Sequence, residues 1–286
     1  MKLALQPIAP LLALAAALAG CGSSQALAQS TAAPVPSGLP LAGVEAERFL
    51  ASATVVDIEH YETKGITKPR RATLSDGERT LRAVFKDIEK TYDREQLSTG
   101  QWLLNLKDSY KHEIAAYQLS ELLGLGLVPP CVKRRIEGDI GSLCLWIEGS
   151  MTEAERARAK TVPPNVVAYN DQMHDIKLFM QLTWDTDYNN VANVLVGPDW
   201  KLYKVDSSRA FRQSDTLRRE DALMRFRRRT LSALESLTRE RLDAALGPWL
   251  DERQLDGLWQ RRCRILELAR ERVASQGEAG VLYDCP

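Results

Sequence analysis

Between Asp187 and Asp206 the chain reads DYNNVANVLVGPDWKLYKVD, two carboxylates bracketing an asparagine and two alternating apolar runs. The runs Asn193 to Val196 and Lys201 to Val205, joined through Gly197, Pro198 and Asp199, predict a β-hairpin with a slightly long loop. Such a hairpin returns Asp206 beside Asn193. A carboxylate and an amide oxygen, both hard ligands suited to Mg²⁺, then converge on one spot. Asp187 sits on the loop leading in, where it could orient an attacking hydroxyl. In isolation the same pattern would also describe a surface hairpin whose Asp and Asn residues form turns.

The elements that must position these groups can be read in order. Glu45 to Leu50 suits a short helix, and Thr54 to Tyr61, Arg71 to Leu74 and Leu81 to Lys86 alternate as three strands. In LRAVFK the alternation puts Lys86 on the face of Arg82 and Val84, and a lysine ending a buried strand needs a counter-charge. A helix capped by Asp108 or Ser109 follows, with Ala116, Tyr117 and Ser120 on the face of Glu113. After Pro129 and Pro130, Val132 to Ile136 and Ser142 to Ile147 form a further hairpin. Met151 to Lys160 and Asp171 to Thr183 are helical, and the second delivers the chain to Asp187. Beyond it, Ser214 or Asp215 is read as the cap of a helix through Arg228, with RFRRR at Arg225 to Arg229 on its solvated face. Thr238 caps another helix. Asp251 and Gln254 have capping-box spacing before a long helix to about Ser275.

The phrases LTWDTDYNNVANVLV and LYKVDSSRAF resemble the catalytic-loop and metal-loop segments of atypical kinases, namely HipA-like and phosphatidylinositol-kinase-like proteins and secretory-pathway kinases of the Golgi casein kinase type. Upstream, SDGERTLRAVFK and HEIAAYQLSELLGLGLVPPCVKRRIEGDIGSLCLWIEG resemble the amino-terminal lobe of the same superfamily, in the same order. The resemblance spans roughly Val55 to Arg212, with weaker echoes to Val273. It implies an α+β, bilobal, protein-kinase-like fold: a small antiparallel β lobe with one helix over residues 45–149 and a larger, mainly helical lobe over 150–286.

Roles follow from the resemblance residue by residue. Lys86 would hold the α- and β-phosphates of ATP, and Glu113 would fix Lys86. Asp187 would orient the acceptor hydroxyl, while Asn193 and Asp206 would carry Mg²⁺ or Mn²⁺. Trp146, opening the stretch to Gly149 between the lobes, would meet the adenine. The closely spaced glycines of a kinase phosphate loop are missing; Gly65, Ile66 and Thr67, with Lys68, would have to form the backbone nest, and a plain hairpin turn reads equally well there. Relatives place the asparagine five positions after the catalytic aspartate, whereas Asp187 to Asn193 is six, so Asp185 with Asn190 is the competing pair. Asn193 to Asp206 is 13, the spacing kinase hairpins favour. Ser207 stands where a glycine commonly follows the metal aspartate.

The amino terminus carries a second signal. Lys2 precedes an apolar core from Leu11 to Leu18, and Leu18-Ala19-Gly20-Cys21 resembles the lipobox of bacterial lipoproteins. Residues 1–20 would then be a signal peptide, Cys21 the lipidated membrane anchor, and 21–44, rich in Ser, Ala, Pro and Gln, a tether. The expected location is the bacterial envelope, facing the periplasm or the exterior. Export makes Cys131, Cys144, Cys263 and Cys285 an even set with three possible connectivities. A hairpin turn at Glu137 to Asp139 would bring Cys131 near Cys144, and Cys263 could meet Cys285; buried thiols would read the same.

With 286 residues, 44% hydrophobic and 27% charged, the chain can bury a bilobal body. Its 38 basic and 38 acidic residues cancel, so no global field directs it to nucleic acid. Three readings remain: a kinase-like transferase with an unidentified phosphoacceptor; because ATP is scarce outside the cytoplasm, a non-catalytic pseudokinase-like lipoprotein that binds a partner or ligand; and a disulfide-stapled structural lipoprotein with no pocket, in which the five site residues would not converge.

Overall fold

In the computed structural model, which describes residues 38–60, 68–97, 100 and 102–284, the chain runs from α1 (Gly43–Ser52) into β1 (Thr54–His60), β2 (Arg70–Ser75) and β3 (Thr80–Lys86). Then come β4 (Glu89–Gln96), β5 (Trp102–Ser109), α2 (Tyr110–Leu122), β6 (Cys131–Ile136) and β7 (Asp139–Leu145). Strands β1, β2, β3, β7 and β6 make a five-stranded antiparallel sheet in that order. Alternation along β3 sends Ala83 and Phe85 into a core with Phe49 and Leu50 of α1, and turns Val84 and Lys86 to the other face. Arg134 of β6 donates to the Leu50 and Ala53 carbonyls, closing the end of α1. At Gly141 of β7 a Cβ would lie 2.2 Å from the Lys86 carbonyl, so only glycine lets β7 approach the end of β3.

The larger lobe follows through β8 (Met151–Thr152), α3 (Glu153–Ala159), α4 (Val166–Leu182), β9 (Val194–Val196) and β10 (Leu202–Lys204). It ends with β11 (Phe226–Arg227), α5 (Arg228–Ser236), α6 (Arg239–Leu246), α7 (Glu252–Gln276), α8 (Glu278–Val281) and β12 (Leu282–Tyr283). The architecture is α+β and bilobal, and the largest hydrophobic core packs α2 and α4 to α7 together. Ser109 caps α2, Thr238 caps α6, and Asp251 with Gln254 forms a reciprocal capping box on α7. None of the described helices is long and apolar enough to cross a membrane.

Three expectations need correction. The hairpin β4–β5 was not foreseen because EKTYDREQ is nearly all exposed and shows no apolar alternation. It is held from below by Leu97, Leu103 and Leu106 against Trp184. The helix expected up to Arg228 is absent: Phe226 is fully buried in a short parallel pair of β11 with β12, and α5 starts only at Arg228. Within the RFRRR run, Arg225 and Arg227 are half-buried and pair with buried Asp171 and Asp175, while Arg228 and Arg229 are exposed. Finally, the helix expected from Asp171 begins earlier, at Val166, where the Asn165 side chain accepts from the Ala168 N–H.

Cys131 and Cys144 lie opposite each other on β6 and β7 and are joined by a disulfide. Cys263 carries an exposed free thiol on α7. Its suggested partner Cys285, and Cys21, lie outside the described residues.

Candidate active site

A cleft of about 750 Å³ opens between the sheet and the larger lobe, and Lys86, Glu113, Asn193 and Asp206 all line it. Lys86 Nζ donates to Glu113 Oε1 at 2.6 Å and to Asp206 Oδ1 at 2.8 Å. Residues from β3, from α2 and from the loop after β10 thus meet at one ammonium. Burial alone would push that ammonium toward its neutral form, but the Asp206 and Glu113 carboxylates outweigh it and hold the charge more firmly than usual. In return Lys86 holds the Asp206 carboxyl below the ordinary range, against the effect of burial.

The expected hairpin forms from β9 and β10. Val205 N–H donates to the Asn193 carbonyl at 3.0 Å, which brings Asp206 beside Asn193. The longer loop is absorbed by two successive turns: Asn190 N–H donates to the Asp187 carbonyl at 2.7 Å, and Asn193 N–H to the Asn190 carbonyl at 3.0 Å. Asn190 caps the second turn, a 3₁₀ helix over Val191–Asn193. Asp185 is buried, accepts the Asp187 N–H at 2.8 Å on Oδ1 and faces Lys204 with Oδ2. It supports the loop from beneath; of the two candidate pairs, Asn190 and Asn193 line the cleft, while Asp185 and Asp187 do not. Burial raises the Asp187 carboxyl above its usual range, and Asp185 and Asp206 push the same way, against Lys204 and Arg209.

Sequence reasoning missed Lys204, whose alternation in LYK looked like that of an ordinary hairpin lysine. It is fully buried, and its Nζ donates to the carbonyls of Val205 at 2.6 Å and Asp206 at 3.1 Å. Asp206 has a left-handed backbone, φ 58°, which a non-glycine residue holds only at some cost. Lys204 secures that turn. The loop is also fastened to α2 and to the end of β5: Ser207 N–H donates to Glu113 Oε2 at 3.1 Å, and Arg209 Nε pairs with Asp108 at 2.8 Å.

The apolar lining of the cleft comes from Val84, Val128, Leu145, Ile147 and Leu195 as well as Trp146. Trp146 lines the cleft, but its ring is flanked by Arg71 and Arg82 at 5.6 and 5.3 Å, and its backbone N–H donates to the Arg82 carbonyl. Gly65 and Thr67 lie outside the described residues, and neighbouring Pro69 borders the cleft.

The donor set suits a hard divalent cation. Asn193 Oδ1 spends one lone pair on Asn190 Nδ2 at 3.2 Å and keeps another, while its buried Nδ2 finds no acceptor. The Asp206 side chain stays 39% exposed with Oδ1 on Lys86, leaving Oδ2 for a ligand. One carboxylate and one amide oxygen, completed by phosphate oxygens and water, is how Mg²⁺ is commonly held. Among the described residues there is no cluster of three or more His, Cys, Asp or Glu able to hold a metal by itself.

No family model matches the sequence, and no curated protein matches it. Solved structures do resemble it. A hydra Fam20 solved with sugar shares 15% identity, with 83% of this chain and 90% of that chain covered and a TM-score of 0.58. A Golgi casein kinase shares 17% identity, covering 84% of this chain and 78% of that one, with a TM-score of 0.54. At such identities the likeness is one of fold, and the fold is kinase-like.

Proposed function

We propose that this protein is a kinase-like phosphotransferase that moves the γ-phosphate of ATP to a hydroxyl acceptor. The observation that carries the reading is the meeting of Glu113, Lys86 and Asp206 at one ammonium in a nucleotide-sized cleft. Lys86 binds the α- and β-phosphates and Glu113 keeps it aimed at them. Asn193 and Asp206 hold Mg²⁺ or Mn²⁺, which neutralises phosphate charge when bound. Asp187, whose carboxyl is raised by its surroundings, orients the acceptor hydroxyl and accepts its proton. The two solved relatives by fold, a Fam20 and a Golgi casein kinase, support the same class of reaction. On the lipobox sequence ending in Cys21, the reading includes a lipid anchor on that residue and a place at the bacterial envelope.

The test is a thermal shift of the full chain titrated with ATP and Mg²⁺ or Mn²⁺, beside Asp206→Ala. A nucleotide at 100 times its dissociation constant stabilises by about 2.7 kcal/mol. Stabilisation that needs both nucleotide and metal, and vanishes in Asp206→Ala, is expected. No stabilisation in the wild type overturns the proposal. Stabilisation with no transfer to any hydroxyl acceptor leaves a binding protein instead of an enzyme.

A further inference from the structure

We propose that His112 and Gln254 are positioning residues: Gln254 holds the His112 ring as its Nδ1–H tautomer, and that N–H fastens α2 to the loop beyond Asp206, keeping Glu113 on Lys86. The latch is read from hydrogen bonds alone; its consequence for the reaction rests on the phosphotransfer reading above.

Gln254 is buried in the first turn of α7, and its amide orientation is set by a single contact. Asp251 N–H donates to Gln254 Oε1 at 3.0 Å, and only the oxygen of an amide can accept. Nε2 therefore presents two N–H donors elsewhere. One goes to the Phe211 carbonyl at 2.8 Å, and the other meets His112 Nε2 at 3.0 Å. A ring nitrogen that accepts carries no proton. The proton of the neutral imidazole thus sits on Nδ1, 2.7 Å from the Ser208 carbonyl, which accepts it.

Position along the chain gives this bond its leverage. Ser208 O also accepts from the N–H of Ser109, the cap of α2, at 2.9 Å. One residue past His112, Glu113 divides its carboxylate between Lys86 and the N–H of Ser207. One residue before Ser208 in that same loop, Ser207 follows the metal aspartate. Residues 109, 112 and 113 therefore register α2 on residues 207 and 208, and Gln254 extends the tie to Phe211. Burial pushes the His112 ring down to about 4, with Lys107 acting in the same direction against the Ser208 carbonyl, Glu89 and Asp108, so the ring is neutral when the latch is closed. This array ties the smaller lobe's helix to the larger lobe, and its His112 and Gln254 side chains do not line the cleft.

The experiment uses the full chain and two readouts. Long-range ¹H–¹⁵N correlation of the three histidine side chains is expected to show His112 with a protonated Nδ1 and a bare Nε2. An Nε2–H tautomer overturns the latch whatever the variants do. In the second arm, His112→Asn keeps an N–H near the place of Nδ1, whereas His112→Leu keeps only volume. Asn is expected to retain kcat within about threefold and the slow amide exchange of Ser207. Leu is expected to lower kcat by about 10- to 100-fold with little change in the KM for the acceptor, as loss of a supporting contact does. Equal losses in Asn and Leu, or no loss in Leu, overturn the role. Should the wild type transfer no phosphate, the phosphotransfer reading fails, while the tautomer and the Ser207 exchange still judge the latch.

Discussion

Lys204 Nζ lies 2.8 Å from Asp185 Oδ2, and the two side chains are 1% and 2% exposed. The pair sits beneath the loop that carries Asp187 on one side and Asp206 on the other. The same ammonium also holds the Val205 and Asp206 carbonyls. One buried lysine thus meets both the carboxylate beneath the candidate metal loop and the backbone turn at Asp206.

Removing that lysine would strand a buried carboxylate. Lys204→Met is expected to cost about 3–5 kcal/mol in denaturant unfolding, because breaking a buried pair leaves an uncompensated charge. Removing both charges in Lys204→Met with Asp185→Leu should recover much of the loss in stability, though not the hold on the Asp206 turn. A double variant no more stable than the single one would place the cost in packing instead.

Replacing Asp187 separates binding from chemistry. Asp187→Asn is expected to slow phosphate transfer by about 10²- to 10⁴-fold, the usual worth of a positioned acid or base. The thermal shift with ATP and metal should persist, since Asp187 does not line the cleft. Steady-state kinetics beside the shift assay check both halves, and loss of the shift would make Asp187 a binding group.

The buried ring of His112 predicts a pH dependence. Its folded value is depressed from 6.5 to about 4 by burial, so the unfolded chain takes up a proton that the folded chain refuses. Stability from this group is fully present above about pH 6.5 and is lost as the pH falls toward 4. The full loss is on the order of 3 kcal/mol. Urea unfolding of wild type and His112→Asn between pH 7 and 4 is the check: the variant should show a shallower decline, and parallel curves would remove His112 as the cause.

The disulfide closes a short loop, with Cys131 and Cys144 separated by 13 positions. Loops of about this length are stabilised by about 3 kcal/mol at most in the chain-entropy view. Cys131→Ala with Cys144→Ala is therefore expected to lower Tm by several degrees without abolishing folding, because β6 and β7 remain paired along their length. Cys144 also borders the cleft, so weaker nucleotide stabilisation in the double variant is the accompanying expectation.

Much of the site could be read from residues alone where the signal was local. The Asn193 to Asp206 hairpin, the alternation that turns Lys86 away from the core and the Asp251–Gln254 capping box all depend on hydrogen bonds and side-chain periods within a few residues. Strand β4 could not be read, because an exposed edge strand of charged residues carries no apolar period. Nor did the local pattern distinguish Lys204 from a solvated hairpin lysine.

The amino-acid order by itself determined the β9–β10 hairpin, the caps of α2, α6 and α7, the spacing of Asp187, Asn193 and Asp206, and the order in which Lys86 and Glu113 precede them. Only the tertiary structure decided which polar groups meet: Lys86 with Asp206, Lys204 with Asp185, and His112 with Gln254, the last pair 142 positions apart. The physical reason is that local bonds depend on a few neighbouring dihedrals. A buried polar pair depends on how whole elements pack, and many lysines, aspartates and glutamines share the same local sequence meaning until packing removes their water.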